Sequence, residues 1–123
     1  MTKWLRSQSS LTTRSAIAAL SASIASTAMA YGSATNVTIA ELAVNRAYGN
    51  VVFVRLTAAP STPASCSTNG YWHFTVVLDD VGKSMYAELL AAFSRGGTIT
   101  IAGTNACSEI GSVESTAAVN STS

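Results

Sequence analysis

Charge is scarce in this sequence. Only 11% of its 123 residues are Asp, Glu, Lys or Arg, and it holds one histidine, two prolines and two cysteines. Each scarcity excludes something. A lone histidine and two cysteines without Cys-x-x-Cys spacing argue against a zinc site. His73 stands among aromatics in "YWHF", where a half-buried strand residue is commoner than a general base. A Ser-His-Asp set could be assembled from His73, Asp79 and one of many serines, but no G-x-S-x-G elbow accompanies it. No D-x-D-x-D-G run follows Asp79 and Asp80, so the pair reads as a helix cap rather than a calcium loop. "AGTNAC" has no phosphate-cradling glycine pattern. The expectation is a protein without catalytic residues, cofactor or metal.

Basic residues are unevenly placed. Lys3, Arg6 and Arg14 precede "AIAALSASIASTAMA", and Ala28 and Ala30 fit the −3 and −1 positions of a signal-cleavage pattern. The run is short and rich in Ser and Thr, unlike a membrane span. Residues 1–30 therefore read as a secretory signal, and residues 31–123 as one exported domain, periplasmic or secreted, with an ordered core over about 36–119. No membrane span is expected after cleavage. The domain keeps Arg46, Arg55, Lys83 and Arg95 against six acids, a net charge of −2. That balance excludes binding nucleic acid by counterion release.

A domain of this size buries little surface and benefits from a covalent staple. Cys66 and Cys107, 41 positions apart, read as a disulfide in an oxidising compartment. Closing that loop contributes about 4 kcal/mol by chain entropy. Two free thiols or a metal pair are the alternatives.

The remaining pattern is mainly β. "VTIAELAV", 37–44, has Val37 and Ile39 on one face and Leu42 and Val44 on the other. That change of phase predicts a bulge near Ala40 and Glu41. "NRAYGN" is a turn, "VVFVRLTA" (51–58) a β-branched strand, and "APSTPASCSTNG" (59–70) a loop. "YWHFTVVL", 71–78, alternates, with Trp72, Phe74, Val76 and Leu78 on the face expected to be buried. Met85, Tyr86, Leu89, Leu90, Ala92 and Phe93 recur at helical spacing over 84–95, and Gly96-Gly97 stops the helix. "TITIA" returns to period 2, and "IGSVESTAAV", 110–119, is a weaker last strand, with "NSTS" expected to be loose. The order β-β-β-α-β-β predicts an OB-fold-like five-stranded Greek-key barrel, one helix between strands three and four. The disulfide would join the loop after strand two to the loop after strand four.

Aromatic residues remain to be placed. Tyr48 and Tyr71 lie beside turns, where they could stack on a sugar ring or pack against a neighbouring subunit, while Trp72 is expected in the core. Two N-glycosylation acceptors, at Asn36 and Asn120, matter only in a eukaryotic host.

"IAELAV", "VVFVRL", a loop cysteine, "ELLAA" with a glycine stop, a strand and a second cysteine together resemble the B subunits of subtilase-type and typhoid-type AB bacterial toxins. The resemblance runs from about Thr35 to Val119 and rests on order and spacing. It implies an OB fold, a homo-oligomeric ring and sialylated glycans as ligands. A sugar-contacting serine of that family, four positions ahead of the I-x-E-L block, corresponds here to Thr35, which keeps the hydroxyl and adds a methyl. The helix region is shorter here. The sequence thus supports an exported, non-enzymatic binding module for a glycan or protein partner, with Thr35, Tyr48 and Tyr71 as candidate glycan contacts. A periplasmic accessory protein without a small ligand is the alternative.

Overall fold

The computed structural model describes residues 31–121; the expected signal segment lies outside them. Five strands close into a barrel: β1 (Ser33–Val44), β2 (Val51–Leu56), β3 (Phe74–Val77), β4 (Thr98–Gly103) and β5 (Glu114–Ser121), with helix α1 (Asp80–Arg95) between β3 and β4. The strands follow one another around the barrel as β1-β2-β3-β5-β4, with β3 and β5 parallel and the other neighbours antiparallel. This is the expected OB-type order.

The long first strand serves two partners, which requires it to bend. Its first half pairs with β4 and its second half with β2. The register shifts between Ile39 and Glu41, where the change of hydrophobic phase predicts a bulge. A second shift, between Ala34 and Val37, has Asn36 at φ 53°, a left-handed conformation that asparagine tolerates. β1 starts at Ser33, ahead of the ordered core expected from about residue 36. Two bulges let one strand turn through the corner that closes the barrel.

The inward row of β2, Val52, Val54 and Leu56, meets Phe74 and Val76 of β3, Ile99 and Ile101 of β4, and Val37 and Ile39 of β1. Helix α1 packs against β5, β1 and β3 and adds Leu89 and Ala92 to this core. Burying such side chains stabilises by roughly 1.5–3 kcal/mol each, and truncating Phe74, which is 0% exposed, would cost about 3–5 kcal/mol. The helix begins four residues earlier than the apolar spacing suggests, because Asp79 caps it: its Oδ1 accepts the Gly82 N–H at 2.7 Å. A side chain at Gly82 would run into the Val77 carbonyl, so glycine lets this first turn sit on the end of β3. At the other end Gly96 adopts φ 68° and the Gly97 N–H reaches the Ala92 carbonyl, the expected glycine stop.

The structure corrects several other expectations. β3 is only Phe74–Val77, because the Asn69 side chain takes the N–H groups of Tyr71 and Trp72 and holds them in a turn. β5 starts at Glu114 rather than residue 110, and takes in Asn120 and Ser121. Leu90 and Phe93, expected on the inward helix face, are exposed, since Leu89 and Ala92 already fill the space available. Trp72 is half-buried and outside the core cluster. Val51 and Phe53, on the outward face of β2, are themselves buried.

Two clasps tie the connecting loops to the barrel. The Cys66–Cys107 disulfide joins the β2–β3 and β4–β5 connections as expected, with Cα atoms 6.2 Å apart. Beside the loops lies Glu114, 1% exposed. Its carboxylate accepts N–H groups from Gly32 (3.1 and 3.0 Å), Ala64 (2.9 Å) and Asn105 (3.0 Å). A Cβ at Gly32 or Gly103 would collide with this carboxylate, so the two glycines make its niche. A buried charge is tolerated where several donors replace its water.

Candidate functional site: an aromatic cleft on the outer face of β2

Phe53 is the base of the site. It points outward from β2, opposite Ala43 of β1 and Thr75 of β3. Two rings stand against it. Tyr48, from the 3₁₀ turn Arg46–Tyr48, packs edge-on at 5.3 Å between centroids and 75° between planes. Trp72, arriving from the turn before β3, packs at 5.4 Å and 46°. Between them lies a cleft of about 320 Å³. Asn45, Asn69, Ile110 and Ser112 complete its lining together with Ala43.

Local turn chemistry sets these walls. Asn45 caps the 3₁₀ turn by accepting the Ala47 N–H at 2.9 Å, which projects Tyr48. Gly49, at φ 78°, then returns the chain to β2. On the opposite wall Asn69 Oδ1 accepts the N–H groups of Tyr71 at 3.0 Å and Trp72 at 2.8 Å, which directs both rings outward.

Beyond Trp72 the aromatic row continues into Tyr71, edge-on at 5.0 Å. Tyr71 is clamped. Its hydroxyl donates to Glu41 Oε1 at 2.6 Å, while Arg55 donates from Nε to the same oxygen at 3.2 Å and lays its guanidinium 4.6 Å from the Tyr71 ring centroid. The Tyr71 hydrogen bond first, and Arg55 after it, hold the Glu41 carboxyl below its ordinary range, while donation to Glu41 pushes the Tyr71 hydroxyl up.

His73 sits behind this row with Nδ1 accepting the Leu56 N–H at 2.9 Å. Its remaining proton is therefore on Nε2. Burial, and then Arg55, push its pKa below the ordinary value. The Nδ1 lone pair is already engaged, so this imidazole completes the β2 edge rather than offering a base. Among the described residues no three His, Cys, Asp or Glu side chains group to hold a metal ion.

Of the candidate contacts read from the sequence, Tyr48 and Tyr71 come into one row, linked through Phe53 and Trp72. Thr35 does not join them: it lies exposed near the start of β1, on the part paired with β4, whereas Tyr48 follows that strand's other end. Sequence reasoning passed over Phe53, Asn45, Asn69 and Ser112. The alternation of "VVFVRL" does put Phe53 on the outward face, and the turn-forming asparagines are visible as such.

Fold and cleft together define a class. This is an OB-type barrel with an aromatic cleft on the outer β2–β3 face, between the β1–β2 and β4–β5 connections, where barrels of this kind take oligosaccharides and oligonucleotides. No protein-family model, curated protein or solved structure matches the chain.

Proposed function

We propose that the protein is an exported, non-enzymatic binding module that holds a glycan in the cleft between Tyr48 and Trp72. One observation carries this reading: a continuous row of Tyr48, Phe53, Trp72 and Tyr71 at centroid spacings of 5.0–5.4 Å, bordering an uncharged polar lining. Aromatic faces suit the apolar face of a sugar ring, and a few placed polar groups suit its hydroxyls. The disulfide fits an oxidising compartment. Thr35, distant along β1, enters this reading only as a separate contact, and the homo-oligomeric ring implied by the toxin resemblance would give it a place outside the cleft. Screening the protein on a glycan array, with Trp72→Ala beside it, tests the proposal. Signal from the native protein that disappears with Trp72→Ala supports it, and a blank array refutes it.

A second reading has its own observation. Leu90 and Phe93, one helical turn apart on α1, are 43% and 41% exposed, an apolar pair suited to a protein partner in an accessory role. Sizing chromatography of Leu90→Asp/Phe93→Asp against the native chain tests it: unchanged elution of a monomer in both leaves the surface without a role in self-association.

A further inference from the structure

The residues around the cleft carry more information than its shape. We propose that the site selects uncharged saccharides and turns away acidic ones, an inference that rests on the glycan reading above. None of the residues lining the cleft is charged. The ionised groups bonded into its surroundings are mainly acids. Glu41 lies under the Tyr71 hydroxyl at one rim. Glu109 accepts the Thr75 hydroxyl at 3.0 Å, and Thr75 is the cross-strand neighbour of Phe53. The cation at the rim, Arg55, is 3.2 Å from Glu41 and neutralised by it. Arg46, on the turn that carries Tyr48, is exposed and lines no part of the cleft.

An acidic sugar entering here would give up water from its carboxylate, find no free cation in the lining, and lie near the Glu109 carboxylate, the Glu41–Arg55 pair being close to neutral. Removing water from an unpaired charge is costly, and like charges add to the cost. The domain's net charge of −2 acts in the same direction at longer range.

A neutral sugar meets none of these penalties and finds donors. Asn45 and Asn69 each have Oδ1 committed to backbone N–H groups, and only an oxygen can accept those bonds. Both amide orientations are thereby fixed. Each leaves its Nδ2 group without a partner among the described residues, and Ser112 contributes a hydroxyl to the same lining. Ligand oxygens, whether hydroxyl, ring or acetamido carbonyl, are what such groups donate to. A volume of about 320 Å³ is at the small end for ligand pockets, suited to a short stretch of saccharide.

The test is calorimetric titration of the protein with neutral probes (maltotriose, cellotriose, tri-N-acetylglucosamine, lactose) and acidic ones (trigalacturonic acid, 3′-sialyllactose). The expected result is binding of at least one neutral probe, lost in Trp72→Ala, with the best acidic probe about tenfold or more weaker than the best neutral one. An acidic probe that binds tightest, and is lost in Trp72→Ala, overturns the charge selection while leaving the glycan reading standing. No binding by any probe overturns both. Glu41→Gln separates charge from shape: it keeps an acceptor for Tyr71 but releases the charge of Arg55, and should narrow the neutral-to-acidic gap several-fold. An unchanged gap overturns the electrostatic cause.

Discussion

At Glu114 three backbone N–H groups, from Gly32, Ala64 and Asn105, converge on one buried carboxylate, whereas at Glu41 the carboxylate is at the surface and its partners are the side chains of Tyr71 and Arg55. The two sites use the same residue type to different ends. Backbone donors come from three separate segments, so Glu114 fastens the start of β1 and the two long connections to the barrel. Side-chain donors fasten nothing but themselves, so Glu41 orients a rim. The disulfide belongs with the first region, the aromatic row with the second. A frame that is closed by backbone bonds and a covalent link leaves the outer β2 face free to carry recognition.

That contrast can be broken from the frame side first. Cys66→Ser removes the link across 41 residues and should lower the unfolding free energy by about 4 kcal/mol, read by urea denaturation. An unchanged midpoint would mean that the linkage contributes nothing to the frame. Next in size is Glu114→Gln, which turns one acceptor oxygen into a donor facing backbone N–H groups and should cost about 2–3 kcal/mol. The same substitution at Glu41 sharpens the comparison: the exposed rim should leave the denaturation midpoint nearly where it is.

How far the sequence foretold these two regions follows from what each is made of. The order of elements along the chain and the helix stop at Gly96 follow from period and turn residues, which are local signals, and the Cys66–Cys107 pairing follows from there being two cysteines to pair. The bulge at Ile39/Glu41 was legible because it shifts the hydrophobic phase. Glu114 was not, since a single acid in "IGSVESTAAV" looks like any solvent-facing strand residue until three distant backbone segments arrive around it. Trp72 failed for a related reason. Alternation assigns it to the inner face, but Asn69 delays the strand to Phe74 and leaves Trp72 outside against Phe53. The turns beside Tyr48 and Tyr71 are visible in the sequence; that the two rings share one row with Phe53 depends on the β1–β2 and β2–β3 registers, which no local pattern specifies.

A smaller effect lies between the two regions, at His73. Folding favours its neutral form, because burial and Arg55 lower its pKa and Nδ1 is committed to the Leu56 N–H. The contribution is fully present above the unfolded value of 6.5 and is lost as pH falls through the lower folded value. The denaturation midpoint should therefore decline as pH falls from 6.5 through the lower folded value, and this component should level off beneath it. In His73→Gln this component of the decline should be missing, and an identical pH profile in both proteins would contradict the assignment.

The central claim is that the outer β2 face recognises a ligand while the rest of the molecule holds it in place, and Trp72→Ala tests it most directly when binding and unfolding are measured on the same samples. Trp72 is outside the core cluster, so the account predicts loss of saccharide binding with a denaturation midpoint that moves far less than it does in Cys66→Ser. Retained binding in Trp72→Ala, or a loss of stability as large as that of Cys66→Ser, would contradict it.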